Sequence, residues 1–63
     1  MIRELLKRLS PTNYQQLRYA HEQEIAQYVP LDGGLFVGVN VEPLIHLEIL
    51  EQSGPWAYGK IIQ

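Results

Sequence analysis

Pro30-Leu31-Asp32-Gly33-Gly34-Leu35-Phe36-Val37-Gly38-Val39-Asn40-Val41 is where the chain changes its hydrophobic period. Asp32-Gly33-Gly34 is a strong turn signal, because glycine reaches positive φ without the clash that a Cβ would meet. Pro30 stops any helix arriving from the N-terminal side. Beyond the turn, Leu35, Val37, Val39 and Val41 alternate with Phe36, Gly38 and Asn40, which predicts a half-buried strand over 35–41. Upstream of the turn the spacing is helical.

On that upstream side Ile2, Leu5, Leu6 and Leu9 form one apolar stripe, with Arg3, Glu4, Lys7 and Arg8 turned away from it. The pattern predicts a short amphipathic helix over 2–9. So short a helix melts in water unless it docks on the rest of the chain or on another protein. Ser10-Pro11 reads as a stop and a restart: proline disfavours helix at the preceding residue and suits the first position of the next one, with Ser10 as its N-cap. From Pro11 to Tyr28, rotations of about 100° per residue bring Tyr14, Leu17, His21, Ile25, Tyr28 and Val29 onto one side of a second helix.

Downstream, Glu42-Pro43 breaks the ladder and Leu44 to Leu50 alternates again, with Ile45, Leu47 and Ile49 facing one way and His46 and Glu48 the other. Gln52-Ser53-Gly54-Pro55 is a further turn, and Trp56 to Ile62 has the aromatic and β-branched content of a third strand. In that strand Trp56, Tyr58 and Ile62 compete with Ala57 and Ile61 for the core. Short links favour neighbouring antiparallel strands. The expected fold is therefore α+β: two N-terminal helices packed on a three-stranded antiparallel β-meander (αα-βββ). It forms a single domain over 1–63, helical through 1–29 and sheet through 35–62.

A chain of 63 residues buries only about 60% of the surface its unfolded form exposes, so its core is barely sufficient. Small folds usually add disulfides, a metal or a second subunit. Cysteine is absent, and neither His21 nor His46 has the short paired spacing of a zinc site. No metal and no cofactor are expected, and self-association as a homodimer is left by elimination. The lack of cysteine suits a reducing cytoplasm. No stretch reaches the apolar length of a membrane span, and Arg3, Glu4, Lys7 and Arg8 interrupt the only candidate for a signal core. Charge is uneven: residues 1–18 carry four cations against Glu4, whereas the remainder carries Lys60 against six acids. Such polarity can orient a partner or a second copy.

Catalytic patterns are not evident. Ser10 is explained as a cap and Ser53 as a turn residue, so no nucleophile stands beside an oriented base. Gly33-Gly34 leads into a strand rather than a helix and matches no phosphate loop or dinucleotide fingerprint. Three functions remain. The first is a non-catalytic protein–protein interaction module, an adaptor, accessory subunit or regulator, using Leu5, Leu6, Leu9, Tyr14, His21, His46, Trp56 and Tyr58 as its apolar and aromatic surface. The second is a nucleic-acid-associated regulator using Arg3, Lys7, Arg8 and Arg18 against phosphates, which an isoelectric point near 5.5 disfavours. The third is a small metal protein or enzyme centred on His21 and His46.

Leu47-Glu48-Ile49-Leu50-Glu51-Gln52-Ser53-Gly54-Pro55-Trp56-Ala57-Tyr58-Gly59-Lys60-Ile61 resembles the part of an SH3 domain that runs from a hydrophobic–acidic strand into the tryptophan-bearing strand. Trp56 would match the tryptophan beside the proline-peptide groove of that family. No ALYDY-like segment precedes the stretch, so the resemblance implies a shared hairpin and no proline-peptide binding is carried over from it.

Overall fold

The computed structural model describes residues 2–41 and 46–62. Helix α1 spans Ile2–Arg8 and helix α2 spans Pro11–Gln23. Ser10 is extended and its hydroxyl accepts from the Asn13 amide at 3.2 Å, which satisfies one of the free donors of the α2 N-terminus, with Pro11 following. Both readings of that junction hold. The first helix docks within the chain: Ile2 is buried, and Leu6 and Leu9 pack on the core formed by Leu17, Ala20, Val29, Val37 and Val39. The Ile2 amide donates to Glu51 Oε2 at 2.6 Å, placing a carboxylate at the positive end of α1.

The second helix stops five residues before the expected Tyr28. Glu24 takes a left-handed conformation (φ 57), its amide donates to the His21 carbonyl, and the Ile25 amide donates to that of Ala20. This is a Schellman ending built on glutamate rather than on glycine. It releases Gln27–Pro30 as a strand, β1, in which Val29 pairs with Val37 and is buried. Ile25, Tyr28 and Val29 therefore leave the expected helical stripe. A left-handed L-residue costs about 1–2 kcal/mol, so Glu24→Gly is expected to raise stability by about 0.5–1 kcal/mol; a urea midpoint that stays level or falls would contradict the ending described.

After a short 3₁₀ turn at Asp32–Gly34, where Gly33 and Gly34 both have φ 74, strand β2 runs Leu35–Val39. Strands β3 (Leu47–Ser53) and β4 (Trp56–Ile61) form a hairpin across Gly54-Pro55. The four antiparallel strands lie in the order β1-β2-β4-β3. The fold is thus α+β as expected, but with four strands instead of three and without the simple meander. Two causes are visible. Leu35-Phe36-Val37-Gly38-Val39 is buried on both faces beyond Leu35, which suits a central strand with a partner on each side. Strands β2 and β3 are each antiparallel to β4, hence parallel to one another, and cannot be joined as a hairpin. The expected Glu42-Pro43 break and the strand start at Leu44 and Ile45 lie outside the described residues.

The sheet has a core on each side. On one face Val29, Val37 and Val39 meet the helices. On the other, Phe36, Val41 and Ala57 form a second cluster with Tyr28, Leu47 and Ile61 against it. The competition read in the last strand is resolved by this arrangement: Trp56 and Tyr58 fall on the face of their partners Val39 and Val37, and Ala57 and Ile61 serve the second cluster. Asn40, left-handed at φ 52, anchors the exit of β2 by donating from its side chain to the Ile25 carbonyl and from its amide to that of Pro55.

Candidate functional site

Where α1 turns into α2, the stripe that faces the core is left incompletely covered at one end. Leu6 and Leu9 are half-buried, and with Pro11 and Tyr14 they line an open cleft of about 420 Å³ whose remaining lining residues are Arg3 and Lys7. The helical period makes this arrangement: Leu6 and Lys7 follow Arg3 by three and four residues, so each is its neighbour on the helix surface. Among the described residues no carboxylate lines the cleft.

Below the cleft sits an aromatic cluster. Tyr14 stacks on Trp56 with ring centroids 6.4 Å apart and an interplanar angle of 11°, and His21 meets the same indole edge-on at 5.9 Å and 64°. Tyr14 and His21 lie seven residues apart, two turns of α2, so both reach the one indole that β4 presents. Trp56 is half-buried and held between helix and sheet rather than standing at the side of an open groove. The hairpin expected from the SH3 resemblance is present.

The expected partner-binding residues divide between several places. Leu6, Leu9 and Tyr14 come together at the cleft, and Trp56 and His21 lie behind Tyr14. Leu5 is half-buried on α1, and Tyr58 is half-buried on β4 between Val37 and Glu51. His46 is exposed at the entry to β3, where its carbonyl accepts from the Ile62 amide. Of the four cations, Arg3 and Lys7 meet at the cleft, Arg8 is exposed at the end of α1, and Arg18 pairs loosely with Glu22 at 3.9 Å on the outer side of α2. Among the described residues no three histidine or carboxylate side chains lie close enough to hold a metal ion, and no helix is long and apolar enough to cross a membrane.

Several exposed apolar residues were not anticipated. Tyr19 and Ile25 border a second cleft of about 430 Å³ on the far side of α2, lined also by Thr12, Gln15, Gln16 and Gln27, with no charged side chain among its described lining residues. Ile49 and Leu50 are exposed on β3, and Ile62 just after β4. Strand β3 is a sheet edge, and Leu50 has no partner because the register shifts between Ile49 and Glu51. Tyr19 was legible as a large residue off the helical stripe, whereas Leu50 was not, because nothing local marks a bulge. No family model, curated protein or solved structure matches this chain.

Proposed function

We propose that this protein is a non-catalytic protein–protein interaction module, an adaptor, accessory subunit or regulator, that works through the cleft between α1 and α2. The supporting observation is the composition of that cleft: among the described residues, an apolar floor of Leu6, Leu9, Pro11 and Tyr14 with the cations Arg3 and Lys7 beside it. Such a surface suits a polypeptide segment that carries apolar residues flanked by carboxylates. Burial of the apolar part supplies the affinity, and the cations set orientation and speed of approach. The aromatic stack of Tyr14 on Trp56 gives the floor a rigid backing, which lowers the ordering cost of binding. The cysteine-free sequence suits work in a reducing cytoplasm.

A photo-cross-linking side chain placed at Lys7, compared with one at Gln15 beside the second cleft, tests this reading in the native host. The expected result is adduct formation from position 7 that falls several-fold when Arg3→Glu is added, with far less from position 15. Equal yields from both positions, or yields from position 7 that ignore Arg3→Glu, would contradict it.

A further inference from the structure

We propose that the occupant of the cleft is the β3 edge of a second copy of this chain, in a two-fold dimer; this rests on the reading of the cleft as a binding surface. Strand β3 offers the complement of the cleft. Glu48 is exposed there opposite Lys60 of β4, Ile49 (40% exposed) lies on the other face of the strand, and Leu50 (54% exposed) stands at the bulge that follows. The cleft pairs leucine and tyrosine with cations, and the edge pairs isoleucine and leucine with a carboxylate.

Strand-to-strand pairing of two β3 edges is disfavoured by the same residues. The bulge between Ile49 and Glu51 interrupts the ladder, a device that blunts sheet edges. Leu50, outside the ladder register, is instead free to act as a knob for a side-chain-lined hollow.

The two surfaces adjoin. Arg3 lines the cleft, and it also borders a notch with Ile2, Glu51, Gln52 and Ser53 at the end of β3. A two-fold axis through that shared boundary lays the cleft of each copy on the β3 edge of the other, so both contacts form twice and the assembly closes. The surface required is available: a standard interface takes about 800 Å² from each partner, a modest part of the 4560 Å² that this chain exposes. The division of charge between residues 1–18 and the remainder has the sign that such a dimer needs.

Sedimentation equilibrium over a concentration series on the full chain tests the proposal. A dimer is expected whose dissociation constant rises at least about 30-fold with Leu50→Ala, as for a truncated anchor residue. It is expected to rise roughly 10-fold with Glu48→Lys or Lys7→Glu alone and to recover most of the loss when the two are combined. Tyr19→Ala, on the far side of α2, should leave it unchanged, and circular dichroism should show each exposed-site variant folded. A chain that stays monomeric at millimolar concentration overturns the proposal, as does a dimer indifferent to Leu50→Ala or to the charge exchange. Neither result touches the cleft itself, which the cross-linking from Lys7 tests independently: adducts with a different protein and none between copies would keep the binding surface and discard the second copy as its occupant.

Discussion

Phe36→Ala is expected to remove a large share of the chain's stability. Stability of about 0.05–0.15 kcal/mol per residue gives a chain of 63 residues only about 3–9 kcal/mol in all. Removing a fully buried phenylalanine costs about 3–5 kcal/mol, and Phe36 has no exposed surface. It is the largest member of the cluster on the sheet face away from the helices, where Val41, Ala57, Tyr28, Leu47 and Ile61 surround it. Phe36→Leu should cost much less, within about 1.5 kcal/mol, since most of the volume is kept. Urea unfolding followed by Trp56 fluorescence measures both. A loss below about 1 kcal/mol for Phe36→Ala would mean that the second core contributes little, because that is no more than a single buried methyl group ordinarily costs.

Gly59→Ala is the other severe change, and its sign is diagnostic. In an ordinary strand, alanine for glycine stabilises by roughly 0.5–1 kcal/mol through lost backbone freedom. Here a Cβ would overlap the carbonyl oxygen of Glu48 and stand 3.0 Å from Cε1 of Phe36. Strand β3 leans over this face of β4, so backbone, not a movable side-chain tip, occupies the space. Overpacking of this kind costs about 1–3 kcal/mol, occasionally more. The position is neither a turn nor left-handed, so close approach alone explains the glycine. Stability that rises on Gly59→Ala would show that β3 does not close over Phe36.

The two predictions also show what was readable in the chain and what was not. The helix–turn–helix start, the turn at Asp32-Gly33-Gly34 and the hairpin at Gly54-Pro55 were legible because each is set by local chemistry: a serine cap, a proline and glycines. The end of α2 was not, since Glu24 adopts a conformation that glycine would advertise and glutamate conceals. Tyr28 and Val29 fit the helical stripe, but the pairing of Val29 with Val37 and of Tyr28 with Gly38 outweighs that local preference. Strand order was hidden for the same reason. Leu35-Phe36-Val37-Gly38-Val39 alternates as a half-buried strand does, and only its neighbours reveal that both faces are covered. At the candidate site, the leucine stripe and the cations of α1 were each visible, but their meeting with Pro11 and Tyr14 depends on the angle at Ser10, which spacing does not encode. The packing of Tyr14 and His21 against Trp56 joins residues far apart in the chain and had no sequence signal.

Amide chemical-shift mapping is the most direct examination of the cleft. A short synthetic peptide of leucines interspersed with glutamates is titrated into isotope-labelled protein, beside a counterpart carrying lysines in place of the glutamates. The acidic peptide should perturb Arg3, Leu6, Lys7, Leu9 and Tyr14, together with the Trp56 indole behind them, and the lysine peptide should perturb none of these. Shifts centred on Tyr19 and Ile25, or an equal response to both peptides, would contradict the assignment of binding to this surface.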